Sequence, residues 1–426
     1  MLLEQLKDVL QDQQEEARAI QTSVDRVERE ALRQHPGFQK SSLIKVITGA
    51  RRSGKSTLAL QMAKEHPKKN DDFIYINFDD ERLTAIKTEN LNDILKAALQ
   101  LNPHARIFVF DEIQNVDRWE LFVNRLARQG LDLIITGSNS KLLSHELATH
   151  LTGRHLSLEL FPFSFREFLK SRKMDPTPPL TTKGQAALQS AFELFMEKGG
   201  FPQVALGETP GPYLRELFNN IVTRDIVTRK RIRQTKVFCE LALYLCSNFS
   251  STLTYHSIKR TFLIKSVVSV KNYVEYLKEA YLLFSLDPFS YKFKERISLP
   301  RKIYSIDTAL SRSLGGRMTK DHGLGLENII FLDLKRRGLD IYQAKSTRFD
   351  VDFLVKDRQK ISRLIQVAWN IFDDKTRKRE ITSIIRAAKD FKCKDLWIIT
   401  NDQKEEIKTD GLIIKAIPAR EWLIRD

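Results

Sequence analysis

Residues 49–57 read Gly49-Ala50-Arg51-Arg52-Ser53-Gly54-Lys55-Ser56-Thr57, and this spacing, G-x-x-x-x-G-K-[ST], is that of a phosphate-binding P-loop. The two glycines permit backbone angles that a Cβ forbids, so successive N–H groups can turn toward the phosphates. Lys55 adds a positive charge, and the Ser56 hydroxyl is a ligand for Mg²⁺. We therefore expect all nine residues to bind a nucleoside triphosphate with its Mg²⁺.

The residues on either side of the loop support this prediction. Residues 43–48, Leu-Ile-Lys-Val-Ile-Thr, are typical of a buried strand, and residues 58–63 are typical of a helix. A glycine-rich turn without a ligand is the alternative, but strand, loop and helix in this order favour phosphate binding. No N-K-x-D sequence for guanine occurs, which favours ATP as the nucleotide.

A second strand ends in two acids. Four apolar residues at 107–110 lead directly into Asp111 and Glu112, as in a Walker B element. Asp111 would hold the Mg²⁺ shell, and Glu112 would orient or deprotonate the attacking water. Two solvated acids at a strand end are the alternative, which a P-loop upstream disfavours.

Further strands at 73–78 and 131–139 alternate with helices at 91–101 and 119–129. This alternation predicts an α/β fold with a mostly parallel sheet. Ser138 and Asn139 lie at the carboxyl end of the last of these strands. Either could sense the γ-phosphate or the water, or could cap a helix over 141–150; both interpretations stay open.

Composition limits the class of protein. The 426 residues carry a net charge of +16 with a pI near 9.6, which fits a nucleic-acid partner or a basic solvated surface equally well. No apolar run is long enough to cross a bilayer, and the N-terminus lacks the features of a signal peptide. Three cysteines without a C-x-x-C pair fit a reducing compartment. We expect a cytoplasmic protein without a membrane partner.

The first 34 residues predict one long polar helix, with a narrow apolar stripe that would pack on the body of the protein. Pro36-Gly37 would end it. The stripe consists of Leu2, Leu3, Leu6, Val9 and Leu10.

Five segments together resemble a prokaryotic family of AAA-type ATPases in which the ATPase domain is joined to a C-terminal domain of unknown function. They are GARRSGKST (49–57), FVFDEIQ (108–114), IITGSNS (134–140), LTGRHLSLELFPFSFREFL (151–169) and GGFPQVAL (199–206). The resemblance implies that Arg154 is an arginine finger that neutralises transition-state charge, often from a neighbouring subunit of a homo-oligomer. A simple ion pair with Glu159 is the alternative.

The middle of the chain is basic and helical. Two helices over 213–246 carry a cationic run that would track phosphates or be merely solvated. Residues 252–286 fit a winged-helix module, which the resembled family also has, with a wing near 291–294 that would contact DNA or pack on protein. The cations of the run are Arg224, Arg229, Lys230, Arg231 and Arg233, and the residues that would face a major groove are Lys271, Asn272, Tyr273 and Tyr276.

The last hundred residues resemble the core of PD-(D/E)XK nucleases. A helix over 325–337, strands at 340–344, 349–355 and 364–369, a helix at 375–389 and strands at 396–400 and 412–417 give the same order. The resemblance implies that Glu327 and Asp352 are acids of a vestigial Mg²⁺ site, with Gln366 at the variable acid. Ala368 occupies the lysine position, so nuclease activity is doubtful, and Lys375 or Lys378 would be the only nearby replacements.

We thus expect five parts: an N-terminal helix (1–40), a P-loop ATPase domain (41–170), a helical linker (171–235), a winged-helix-like domain (236–310) and a nuclease-like α/β domain (311–426). The leading function is Mg²⁺-dependent ATP hydrolysis coupled to rearrangement around a partner, DNA or another protein. A nucleotide-gated DNA- or protein-binding regulator with little turnover and an ATP-regulated nuclease are the alternatives.

Overall fold

The computed structural model describes residues 3–22, 27–66, 73–139, 153–179, 181–292, 299–315 and 322–425. The chain forms two compact units, Met1–Pro162 and Phe163–Asp426. Within the described ranges, no helix combines the length and apolar character needed to cross a membrane.

The first unit contains a parallel five-stranded sheet in the order β2-β3-β4-β1-β5. This confirms the predicted α/β P-loop fold. Strand β5 was not predicted, because its alternating side chains are those of a strand with one exposed face. The strands are β1 Ile44–Gly49, β2 Phe73–Asn77, β3 Ile107–Asp111, β4 Asp132–Gly137 and β5 His155–Leu160.

Helices cover the sheet, and one of them corrects a prediction. The N-terminal region is not a single helix over 1–34: α1 ends at Thr22, and residues 27–29 are not helical. Leu6, Val9 and Leu10 are buried in the sheet core as the stripe predicted, while Leu2 lies outside the described residues. The helices are α1 Leu3–Thr22, α2 Glu30–Gln34, α3 Pro36–Lys40, α4 Lys55–Lys64, α5 Leu91–Leu101 and α6 Trp119–Arg128, with short 3-10 turns at Glu81–Leu83, Thr88–Asn90 and Ile113–Asn115.

The second unit begins with helices and a small antiparallel sheet. A π-helical segment, Ile221–Thr228, continues α10, and the break between the two predicted helices lies at 231–234. The sheet has the order β6-β8-β7. These elements are α7 Phe165–Ser171, α8 Thr182–Lys198, α9 Pro202–Leu206, α10 Pro210–Asn220, α11 Thr235–Ser247, β6 Ser251–Leu253, α12 Tyr255–Thr261, α13 Val267–Glu279, β7 Leu283–Leu286, β8 Arg301–Ser305 and α14 Thr308–Ser313.

The rest of the second unit is built on a mixed six-stranded sheet, β13-β14-β12-β11-β10-β9. Strands β11, β12 and β14 are parallel, and the β9-β10-β11 meander is antiparallel. The predicted helix-strand order holds, with β13 and the last helix added. The elements are α15 His322–Arg336, β9 Asp340–Lys345, β10 Asp350–Asp357, β11 Lys360–Val367, α16 Asp374–Phe391, β12 Leu396–Thr400, β13 Glu405–Thr409, β14 Leu412–Pro418 and α17 Ala419–Leu423.

Candidate functional site

The P-loop connects the carboxyl end of β1 to the start of α4. Gly49 has φ +151°, and a Cβ there would lie 2.1 Å from the Leu160 carbonyl oxygen of β5. Only glycine therefore lets the neighbouring strand approach this closely. Gly54, at φ 94° and ψ 25°, is the left-handed residue that precedes the first turn of α4. The backbone of the loop is thus set by the two glycines that define the motif.

Lys55 lies inside this loop. Its Nζ donates to the Ala50 carbonyl at 3.1 Å and is 3.4 Å from the Glu112 Oε1. The nearby Ser53 hydroxyl is fully buried and has no hydrogen-bond partner among the described residues. A buried ammonium, an unused hydroxyl and a helix N-terminus together fit an anionic phosphate group.

Asp111 ends β3 and is held by three hydroxyl groups. Tyr75 Oη donates to its Oδ2 at 2.8 Å, Thr136 donates to its Oδ1, and Ser56 of the P-loop also bonds to it. Burial, followed by repulsion from Glu112, raises the pKa of Asp111 above its ordinary value. The adjacent Ser56 and Asp111 oxygens are the hard ligands that suit Mg²⁺, which would also lower this pKa.

Glu112 adopts a left-handed backbone at φ 52°. Its N–H donates to Thr136 Oγ1 at 3.1 Å, and its Oε2 accepts from both the N–H and the hydroxyl of Ser138, at 3.0 and 2.9 Å. Burial alone would raise the pKa of Glu112, but Lys55 and then Gln114 and Ser138 lower it overall. The carboxylate is therefore kept ionised and aimed at the loop.

The remaining predicted residues of the loop and of β4 have separate positions. Arg51 pairs with Asp79 at 3.0 Å, while Arg52 and Thr57 are exposed. Asn139 is buried at the end of β4 beside Ser138. The helix over 141–150 that these two residues might cap lies outside the described residues.

Arg29 is a functional candidate that the sequence analysis missed. It is buried, and its guanidinium donates to the Ser53 carbonyl at 2.8 Å and to the Phe161 carbonyl at 2.6 Å. It thereby ties the P-loop to the end of β5. These partners explain why residues 27–29 are not helical, since an extended Arg29 makes two charge-assisted hydrogen bonds.

Comparisons with known proteins agree with this geometry. The family model of the AAA domain matches residues 41–169, and that of a domain of unknown function, DUF8612, matches residues 189–321. The uncharacterized protein MJ1544 of Methanocaldococcus jannaschii is 39% identical over 396 residues, which are 89% of this chain and 88% of the relative. The chain belongs to the family of MJ1544.

Two other similar proteins extend the comparison. An uncharacterized protein of Haemophilus influenzae is 29% identical over 405 residues, covering 92% of this chain and 97% of that protein. The Walker-type ATPase PABY2304 of Pyrococcus abyssi has a TM-score of 0.44 at 16% identity, covering 67% of this chain and 95% of that structure. The AAA domain match over residues 41–169 of this MJ1544-family chain agrees with the P-loop and parallel sheet described above.

Arg154 is not near the P-loop of its own chain. It immediately precedes β5, its carbonyl accepts from the Ile44 N–H at 3.1 Å, and its exposed Nη1 donates to Asn124 at 3.0 Å. It therefore lies where β1 begins, whereas the P-loop follows its end, about 16 Å away along the strand. Glu159, the alternative ion-pair partner, is in register with Thr48 near the opposite end of the strand.

Three residues predicted to face nucleic acid instead pack within the second unit. Lys230 pairs with the buried Glu279 at 2.6 Å and lies 5.0 Å from the ring of Tyr276. Tyr273 packs edge-on against Phe238 at 5.2 Å. These contacts leave both tyrosine rings partly buried. Lys271 and Asn272 are exposed as predicted, while residues 293 and 294 of the predicted wing lie outside the described residues.

An open basic pocket of about 790 Å³ lies beside α12. Leu263, in the turn after this helix, is 87% exposed. Among the described residues, the lining has no carboxylate, and consists of Thr254, His256, Ser257, Lys259, Arg260, Leu263, Ile264 and Lys265.

The C-terminal candidates come together, with a lysine that was not predicted. Glu327 on α15 and Asp352 on β10 are both buried, and the Asp352 N–H donates to Gln366 Oε1 at 3.4 Å. Lys302 of β8 bridges the two acids. The expectation that only Lys375 or Lys378 could supply a nearby lysine is therefore wrong. The lysine of β8 was missed because this strand is distant in sequence from both acids and no local motif marks it.

Proposed function

We propose that this chain is a Mg²⁺-dependent ATPase that couples hydrolysis to a rearrangement around a partner, with nucleic acid as the partner class. The observation that carries the proposal is the partly buried carboxylate of Glu112, held by Ser138 and Lys55 next to the Ser56–Asp111 pair. A carboxylate that is fixed, ionised and directed at a P-loop has the position and charge of a general base.

The residues would divide the work as follows. The loop Gly49–Thr57 would hold the phosphates, and Ser56 with Asp111 would hold Mg²⁺. ATP·Mg²⁺ supplies the electrophilic γ-phosphorus. Glu112 would take a proton from the attacking water, while Ser138 would keep it in position and Asn139 would lie beside the water. Because Lys55 is shared with Glu112, a phosphate that draws Lys55 away would leave Glu112 more basic.

The test compares Lys55→Ala, Glu112→Gln and the control Asp117→Asn, which changes an exposed acid on the same segment. Lys55→Ala should weaken ATP binding by about 10- to 100-fold. Glu112→Gln should retain binding and lower kcat by about 10²- to 10⁴-fold, and Asp117→Asn should change neither. Wild-type turnover no faster than that of Glu112→Gln would instead favour the regulator with little turnover.

A homo-oligomer would explain Arg154. Since this residue lies far from its own P-loop, it could act as an arginine finger only on the nucleotide of a second copy. Its exposure and the one hydrogen bond that its side chain makes to a described residue, Asn124, support a side chain that can leave its place on assembly.

The basic surface favours nucleic acid as the partner. We propose that β6, α12, α13, β7 and β8 form a winged-helix module, because a helix-turn-helix followed by an antiparallel sheet has that order. The acid-free pocket beside α12 would suit backbone phosphates. An ATPase rate that rises with double-stranded DNA, single-stranded DNA or RNA would identify the partner class, whereas no response to any of them would favour a protein partner.

A further inference from the structure

The C-terminal unit contains a charged pocket that the ATPase reaction does not use. It has a volume of about 770 Å³ and opens between β10, β11 and α16. Six of its lining residues are basic and three are acidic. The basic ones are Lys302, Arg348, Lys375, Lys378, Arg379 and Arg386, and the acidic ones are Asp350, Asp352 and Glu380.

Lys302 forms the inner wall of this pocket. Its Nζ is 2.6 Å from Glu327 Oε1 and 3.1 Å from Asp352 Oδ1, and its side chain is only 12% exposed. Each acid has a second anchor: Tyr304 Oη donates to Glu327 Oε1 at 2.6 Å, and the Val367 N–H donates to Asp352 Oδ2 at 3.0 Å. The ammonium is therefore fixed between two carboxyl groups from different elements.

The Lys302 ammonium lies between the two acids, where a divalent ion would otherwise bind. Mg²⁺ would need oxygen ligands at about 2.0–2.1 Å in an octahedral shell, and a cation between these two acids would have to displace the Lys302 ammonium. Within the described residues, no three His, Cys, Asp or Glu side chains are grouped to hold a metal.

The outer wall of the pocket attracts anions. Lys375 and Lys378 on the first turns of α16 make no ion pair with any described residue, and Arg386 bonds to the carbonyl of Arg348. Arg379 and Arg348 pair with acids, Glu380 and Asp390. Positive charge thus prevails at the mouth, where a phosphate could bind without a metal.

We propose that Lys302 replaces a divalent ion at Glu327 and Asp352, and that the pocket it closes binds a phosphate group independently of metal. The phosphate could belong to a nucleic-acid strand or to a small phosphorylated ligand. The pocket shares no lining residue with the proposed ATPase site.

The first test is Mn²⁺ titration of the nucleotide-free full-length chain, followed by electron paramagnetic resonance. Wild type and Asp352→Asn should bind Mn²⁺ equally, because neither offers a metal site here. Lys302→Met should gain one site, which Lys302→Met/Asp352→Asn should lose. A wild-type Mn²⁺ site that Asp352→Asn removes would overturn the proposal, and this comparison leaves Lys302 unchanged in case Lys302→Met does not fold.

The second test measures phosphate binding in EDTA by calorimetry. Every protein carries Lys55→Ala, which weakens phosphate binding by the P-loop. The probes are pyrophosphate and a six-nucleotide DNA strand. Lys375→Glu/Lys378→Glu should weaken binding at least about tenfold, as expected for two lost charge-assisted contacts, whereas Lys408→Glu, an exposed change on β13, should not.

The two probes also identify the source of the phosphate. Tighter binding of the strand would support a nucleic-acid backbone, and tighter binding of pyrophosphate would support a small ligand. Binding of neither probe in EDTA, or binding that appears only with Mg²⁺, would overturn the proposal.

Discussion

At the scale of single residues, the protonation of Glu327 makes the stability of the second unit depend on pH. Burial, followed by repulsion from Asp352, raises the pKa of Glu327 to about 8. Above pH 4.5, the ordinary pKa of this side chain, the unfolded state releases the proton of Glu327, whereas the folded state keeps it up to about pH 8. The contribution of Glu327 to stability is therefore present at low pH and is lost as the pH rises through 8.

Glu327→Gln should remove this dependence. Relative to wild type, the variant should become more stable by roughly 1 kcal/mol per pH unit between pH 5 and 8. Urea unfolding followed by tryptophan fluorescence can measure this, since three of the four tryptophans lie in the second unit. Glu406→Gln, an exposed change on β13, is the control, and a constant offset for Glu327→Gln would contradict the prediction.

Arg29 gives a second prediction at this scale. Arg29→Ala would remove two hydrogen bonds from a buried guanidinium and leave the Ser53 and Phe161 carbonyls without this donor. We expect a loss of stability of about 2–4 kcal/mol and weaker ATP binding, measured by thermal unfolding and nucleotide titration. Arg33→Ala, at a more exposed arginine on α2, should have little effect; unchanged ATP affinity in Arg29→Ala would argue against support of the loop.

What the sequence could predict at this scale depends on separation along the chain. The P-loop and the Asp111–Glu112 pair belong to short motifs whose chemistry is local. Arg29 acts on a residue 24 positions away, and Lys302 acts on acids 25 and 50 positions away. A lone arginine or lysine carries no pattern that reveals such a partner.

At the scale of elements, runs of apolar residues identified the strands β1 to β4, whose residues are almost all buried in the first sheet. Strand β5 was missed because one of its faces is exposed. The break after α1 was missed because it depends on the buried hydrogen-bond partners of Arg29. The same limit applies to Tyr273 and Tyr276, since helical periodicity alone does not identify what packs against a face.

Residues 231–236, which follow the π-helical segment and its last turn, allow a prediction about DNA binding at the scale of elements. Reversing Lys230 would place a carboxylate beside the buried Glu279, so it is a poor test of binding. Arg231→Glu/Arg233→Glu changes two exposed cations and should weaken DNA of every sequence alike, with a salt slope smaller by about 0.9 per lost contact. Fluorescence anisotropy at several salt concentrations measures this.

The control for this change keeps the net charge equal. Lys394→Glu/Lys408→Glu reverses two exposed lysines elsewhere in the second unit and should retain DNA binding. If both double variants lose affinity equally, the effect is one of net charge, and the segment does not contact the phosphates.

At the scale of the whole molecule, Arg154 makes assembly testable. If it acts across a subunit boundary, ATP turnover per chain should rise with protein concentration. Mixing Arg154→Ala with Lys55→Ala should restore part of the activity, because a mixed interface combines an intact P-loop with an intact Arg154. Arg128→Ala, an exposed change on α6, is the control; no rescue on mixing would contradict action in trans.

The position of Lys302 has a practical consequence for anyone who divides this chain. The lysine and Tyr304 belong to β8, whereas the acids that they bind come later, on α15 and β10. A fragment that starts at residue 311 would contain the acids without their ammonium. If Lys302 replaces a divalent ion as we propose, such a fragment would bind divalent ions at Glu327 and Asp352, where the intact protein would not, and a metal found there would be an artefact of truncation. A fragment that keeps the native arrangement has to begin before β6, so that β8, which carries Lys302, retains both of its neighbouring strands.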